Sequence, residues 1–158
     1  MNLSVPISLH EESVRPGWID RNGHMNLAYY VVIFDHATDV LFDALGIGEA
    51  YTEATNNSLF VVETHTLYER ELVEGERVQV RSFVLGGDSK RLHFAHEMLS
   101  QAGERAAMQE LMVLHVDIST RRAMAFPADR QSVIAEVAAA HTHLPRPAGI
   151  GRRIGLTD

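Results

Sequence analysis

The sequence predicts an α+β fold in which one long helix is backed by successive antiparallel strands. Two periodicities carry this reading. From Leu27 to Leu45 the apolar residues recur at helical spacing, and from Leu59 to Ile118 they alternate with a period of two. A third observation sets the topology: the breaks between the strand-like runs are short and rich in glycine, which joins antiparallel neighbours.

Taken in order, Leu3 to Val14 alternates loosely through Val5, Ile7 and Leu9 and reads as a first strand, stopped by Arg15-Pro16-Gly17. Trp18 to Asn26 is a mostly polar loop. The helix over Leu27–Leu45 has Asn26 as its N-cap and Gly46 just past its end. Its first two turns, Leu27 to Phe34, are apolar all round, which predicts enclosure by protein. Asp35, Asp39 and Asp43 mark one solvated stripe on its far half. The next strand starts at Leu59. Its residues Leu59, Val61, Glu63, His65 and Leu67 are expected on one face, with Phe60, Val62, Thr64, Thr66 and Tyr68 on the other. Glu74-Gly75 turns into a strand with Val78, Val80, Ser82 and Val84 on one face. Gly86-Gly87-Asp88-Ser89 is a hairpin signal, followed by a strand with Leu92, Phe94, His96 and Met98 on one face. After Gln101-Ala102-Gly103-Glu104 comes a long strand from Met108 to Ile118. Asp129 is the expected cap of a short last helix carrying Val133, Ile134, Val137 and Ala138. The division is one domain over residues 1–143 and an irregular tail over 144–158, expected to be mobile or docked on a partner subunit. One helix cannot cover both faces of a five-stranded sheet, so a homodimer or homotetramer is expected.

Composition excludes several function classes. The chain has 158 residues, 46% of them hydrophobic and 22% charged, enough for a core and too apolar for disorder. There is no cysteine, which removes disulfide scaffolds, Cys-based metal sites and a thiol nucleophile. The net charge of −7 disfavours nucleic-acid binding. No run approaches the roughly 18 apolar residues of a membrane span, and Met1-Asn2-Leu3-Ser4 does not open a signal peptide. No nucleic acid, no membrane and a cytoplasmic location are therefore expected.

The chemistry concentrates in Asp20-Arg21-Asn22-Gly23-His24-Met25-Asn26, immediately before the helix. A helix start offers unpaired amides and a positive dipole end, suited to an oxyanion developing on a carbonyl. Gly23 permits close backbone approach. Asp20, a few residues earlier, could attack a carbonyl directly or activate a water. Asp20 and Asn22 would equally serve to shape an Asx turn. His24 could orient substrate or water, or simply bond to backbone. Asn26 reads first as a cap, and Tyr30 as a core residue whose hydroxyl needs a partner.

A strand, then Asp-x-x-Gly-His-x-Asn, then a helix with Tyr30 in its first turn resembles the hotdog-fold acyl-CoA thioesterases of the 4-hydroxybenzoyl-CoA thioesterase type, over roughly residues 5–120. The place two positions before Asp20, often Asp in that family, is Trp18. The resemblance implies a long central helix wrapped by a five-stranded antiparallel sheet, Asp20 as the catalytic carboxylate, and Gly23, His24 and Asn26 beside it. It implies an acyl-CoA substrate, with coenzyme A part of that substrate and no cofactor. Ser89 to Met98, with Trp18 and Gly23-His24-Met25-Asn26, is further similar to the thioesterases of carnitine breakdown, some of them fused to carnitine dehydrogenase. That similarity implies betainyl-CoA, whose trimethylammonium group suits aromatic faces and a carboxylate. Trp18, Tyr30, Phe60 and Tyr68 are candidate faces, and Glu63 the candidate charge.

Other candidates are weighed on the residues alone. Glu63 and His65 are titratable groups on an otherwise apolar strand face, and so candidate substrate contacts. Lys90 and Arg91, after the hairpin glycines, are candidates for the phosphates of coenzyme A. His93 and His96 point to opposite faces of a strand, so no metal site is expected there. An acyl-thioester hydratase or dehydratase on the same fold, and a non-catalytic acyl-CoA-binding module, are the alternatives to a thioesterase.

Overall fold

The computed structural model describes residues 5–156. The expected strand residues Leu3 and Ser4 lie outside that range, as do the last two residues of the tail. The elements are β1 (Ile7–Ser13), a single 3-10 turn (Pro16–Trp18), α1 (Leu27–Leu45), α2 (Glu49–Thr55), β2 (Asn57–Tyr68), β3 (Arg77–Gly87), β4 (Arg91–Ser100), β5 (Arg105–Asp117), β6 (Arg122–Ala123) and α3 (Ala128–His141). All strand pairs are antiparallel, in the order β1-β3-β4-β5-β2, with the two-residue β6 added to β5. Among the described residues no helix is long and apolar enough to cross a membrane.

The α1 helix spans the residues that the sequence predicts, because both ends carry local stop signals. The Asn26 side chain accepts from the Ala28 amide, and Gly46 turns left-handed at φ 69°. The inner face of the sheet packs on one side of α1. Phe34, Ile33 and Leu41 are fully buried against residues such as Val80, Met98, Phe94 and Leu111. The alternations expected for β3 and β4 hold: Val80, Ser82 and Val84 pair with Met98, His96 and Phe94. Asp35, Asp39 and Asp43 form the expected exposed stripe.

Several expectations fail for identifiable reasons. The first turns of α1 are not enclosed by their own chain: Leu27 is 62% exposed and Val31 41%. Strand β2 carries a bulge at Val62, since Val61 pairs with Val113 and Glu63 with Met112. The extra residue reverses the alternation, so Glu63 and His65 share the outer face with Leu67 but not with Leu59 and Val61. The short α2 is an element that the sequence reading does not include. In α3 the N-cap is Pro127, and Asp129 sits inside the first turn. The α3 helix covers the edge of β3 where β1 stops, and His141 Nδ1 accepts the Val84 amide at 2.9 Å. The tail docks on its own sheet: Ala148 O accepts from Arg105 at 3.0 Å, and the Gly151 amide donates to Glu110 at 2.7 Å.

One polar thread crosses the apolar interior. His96, with no exposed surface, bonds Ser82 Oγ at 2.9 Å and Thr38 Oγ1 at 3.0 Å, and Thr38 donates to Phe34 O. Burial pushes the His96 imidazole down to about 3. Unfolding releases a histidine that titrates near 6.5, so the unfolded chain binds the extra proton. The neutral ring therefore supports the fold fully above pH 6.5, and that support drains away as the pH falls towards 3. We expect urea-unfolding stability to drop by up to about 1.4 kcal/mol per pH unit in that window, and His96→Gln to flatten the drop.

Candidate active site at the start of the central helix

The loop before α1 is closed by its own backbone. Ile19 bridges Met25, the Asp20 amide donates to His24 O at 3.0 Å, and the Gly23 amide returns to Asp20 O at 3.0 Å. Closing so small a loop needs a left-handed residue, and Gly23 supplies it at φ 85°. Two bonds anchor the loop to the body: Met25 N–H to Leu72 O at 2.7 Å and Asn26 N–H to Trp18 O at 2.9 Å. Met25 is buried beneath it. The expected Asx turn is present, because Asp20 Oδ1 accepts the Asn22 amide at 2.7 Å. That bond fixes the carboxylate without burying it.

Asp20 lines a cleft of about 400 Å³ together with Asn22, His24, Asn26, Leu27 and Tyr30. The opposite wall is formed by Tyr68 at the end of β2 and by the next three residues, Glu69, Arg70 and Glu71. Tyr30 is buried, donates its hydroxyl to Arg70 O at 2.9 Å, and meets Tyr68 edge-on with ring centroids 5.3 Å apart. Burial raises both phenols, so both stay protonated at neutral pH. Arg70 is held by Glu104 at 2.7 Å, and Arg105 holds Glu69 at 2.7 Å. Glu71 is different. It is 75% exposed, and among the described residues its one ion-pair partner is His24 Nε2, at 3.7 Å. The rim therefore keeps two carboxylates, Asp20 and Glu71, with no guanidinium on them among the described residues.

The structure brings together Asp20, Gly23, His24, Asn26 and Tyr30. Tyr68 joins them from the opposite wall, whereas the remaining expected contacts lie elsewhere. Trp18 lies in the core at 8% exposure, stacked on Tyr29 at 5.2 Å with the Arg15 guanidinium 4.8 Å from its ring, so it offers a ligand little surface. Glu63 and His65 line a separate cleft on the outer face with His93 and Glu110. Lys90 and Arg91 sit at the far end of the sheet, where Asp88 ties down the Arg91 side chain and the Lys90 amide. Phe60 is also on the outer face, under Arg121. Sequence reading missed Leu27, Glu69, Arg70 and Glu71. Only Tyr68, expected as an aromatic face, pointed to that wall.

Comparison with known proteins then places the chain. The model of the thioesterase-like superfamily matches residues 14–143. The chain belongs to that superfamily. This thioesterase-like chain is 39% identical to a betainyl-CoA thioesterase of Pseudomonas aeruginosa over 98% of both chains. It is 33% identical to an L-carnitine dehydrogenase/betainyl-CoA thioesterase of Rhizobium meliloti, matching 98% of itself but 31% of that longer protein. A Staphylococcus aureus protein solved in complex with CoA superposes with a TM-score of 0.88 at 28% identity, over 99% of this chain and 100% of that one. The thioesterase-like fold is thus the hotdog arrangement, with α1 as its central helix.

The cap at Asn26 ties the loop to the helix start. Asn26→Ala is expected to lower stability by about 1 kcal/mol, the usual worth of an N-cap, measured by urea unfolding.

Proposed function

We propose that the chain hydrolyses a small polar acyl-CoA thioester, betainyl-CoA foremost, to the free acid and coenzyme A. The observation that carries this is a fixed, solvent-accessible Asp20 carboxylate in a cleft that opens onto the start of α1. The full-length likeness to a betainyl-CoA thioesterase supports the choice of acyl group.

The chemistry follows from the geometry. A thioester carbonyl seated in the cleft has the positive end of α1 on one side and Asp20 within the same wall. The helix end favours the oxyanion that forms as the carbonyl is attacked. Asp20 either attacks the carbonyl carbon, expelling the CoA thiolate and leaving a mixed anhydride that water cleaves, or takes a proton from the water that attacks. Both routes consume one water and release one acid and one thiol, with no cofactor. His24 and its partner Glu71 orient the substrate or the water.

The rim suits a cation. Tyr68 offers an aromatic face and Glu71 a charge that no guanidinium holds, the pairing that suits a trimethylammonium group. Glu71 thus takes the place expected for Glu63. Strand β2 is the outermost strand and exposes Val61 and Val62, so a second copy of the chain is proposed to cover that edge, giving a dimer or tetramer. Tyr68 and Leu27 border the cleft from this side, and the second copy would close it.

Thiol release measured over a panel of acyl-CoAs tests the reading. Betainyl-CoA is expected to be the preferred substrate, and preference for straight-chain acyl groups would remove it. Binding without thiol release would favour the non-catalytic module, and double-bond chemistry the hydratase. Asp20→Asn is expected to keep the fold and lower turnover at least about 100-fold. Glu71→Gln is expected to raise KM for betainyl-CoA roughly 10-fold, the worth of about 1.4 kcal/mol, with no effect on a neutral acyl chain of similar size.

A further inference from the structure

The opposite edge of the sheet carries a cluster that the cleft does not use. His10 and Glu12 lie two apart on β1, opposite Val80 and Val78, and so share the inner face next to α1. His36 reaches them from α1. Glu12 Oε2 accepts from His36 Nδ1 at 2.8 Å and from His10 Nε2 at 3.3 Å. The other carboxylate oxygen, Oε1, accepts from Arg15 at 2.8 Å. The three candidate donor atoms all lie within 4.8 Å of one another. The Glu12 side chain is 11% exposed and His10 17%, whereas His36 is 41% exposed.

We infer that His10, Glu12 and His36 form a binding site for a divalent transition-metal ion of the zinc class. Two imidazoles and one carboxylate are the donor set that such ions select. Tetrahedral bonds of about 2.0–2.1 Å place neighbouring donor atoms about 3.3 Å apart. The His10–Glu12 distance already has this value, the His36–Glu12 distance is about half an ångström shorter, and the two rings face each other within 4.8 Å, so rotation of the half-exposed His36 ring adjusts both of its edges. Arg15 holds Oε1, so Glu12 presents one oxygen to the ion and is oriented by a neighbour, as supported ligands are. Burial would raise the Glu12 carboxyl, but the bonds from His36, Arg15 and His10 outweigh it and keep the group ionised.

A carboxylate only accepts hydrogen bonds, so each facing ring nitrogen carries a proton when no ion is bound. The ion takes the place of those two protons, which move to the far nitrogen of each neutral ring, Nδ1 of His10 and Nε2 of His36. The exposed side of His36 leaves a fourth position for water. The site sits by β1, whereas the Asp20 cleft is bounded by β2, so the ion ties β1 to α1 and takes no part in thioester cleavage.

The test uses the full-length, untagged chain stripped with a chelator. Calorimetric titration with Zn²⁺ is expected to show one equivalent per chain. Co²⁺ is expected to give visible absorption bands of tetrahedral strength. His36→Ala, a half-exposed helix position that should fold normally, is expected to weaken Zn²⁺ binding at least about 10-fold, as is His10→Ala. His143→Ala, in the exposed segment after α3, is expected to bind as wild type. Zn²⁺ should raise the Tm of the wild type and leave that of His36→Ala in place, with thioester turnover unchanged by His36→Ala. Binding that is not stoichiometric, or that His36→Ala leaves intact, would overturn the assignment.

Discussion

A helix that fills the hollow of a curled sheet is satisfied along its length by its own hydrogen bonds, but its first amides have nothing inside the helix to bond. Everything at the cleft depends on how this chain handles that end. Asn26 takes up Ala28 with its side chain and Tyr29 with its carbonyl. Met25, buried beneath the loop, and the bond from Asn26 to Trp18 hold the segment against the body. The result is a fixed helix start beside a carboxylate on a closed loop, the pairing on which the proposed hydrolysis rests.

Charge completes the picture of that end. The chain is acidic overall, yet its guanidinium groups are not scattered. Arg105 bonds both Glu69 and Glu97, Arg81 bonds Glu97, and Arg70 bonds Glu104. These pairs neutralise most of the carboxylates around the wall formed by the end of β2. Asp20 and Glu71 are left out of the pairing, and the cleft is negative because of which residues the arginines engage rather than because of the net charge.

The sequence made the scaffold legible where the signals are local. The ends of α1 follow from Asn26 and Gly46, and the inner faces of β3 and β4 follow from simple alternation. The Asp20 loop was legible because glycine and a cap stand at fixed distances from a helix. What failed was whatever depends on registers and partners. A single extra residue at Val62 moved Glu63 and His65 to the other side of the sheet, and no pattern in β2 announces a bulge. Trp18 looked like a free aromatic face because neither Tyr29 nor Arg15 can be placed over it without three dimensions. Lys90 and Arg91 are phosphate candidates in the sequence, and the structure adds only that Asp88, three residues before Arg91, holds the Arg91 side chain. Glu71 was invisible for the opposite reason: an exposed acid after a strand is ordinary until the cleft beside it is seen.

The thread from Ser82 through His96 to Thr38 has a consequence for the whole helix. Apolar packing is tolerant of small slips, because contact area has no direction, whereas a chain of hydrogen bonds is directional and costly to leave unmade in a dry interior. The thread therefore acts as an index pin, setting the angular phase of α1 inside its sleeve. Turning the helix by one residue step, about 100°, would strand the imidazole and swing Tyr30 away from the mouth that Asp20 guards. The orientation of the helix start is thus keyed from a point more than two helical turns deeper in the molecule.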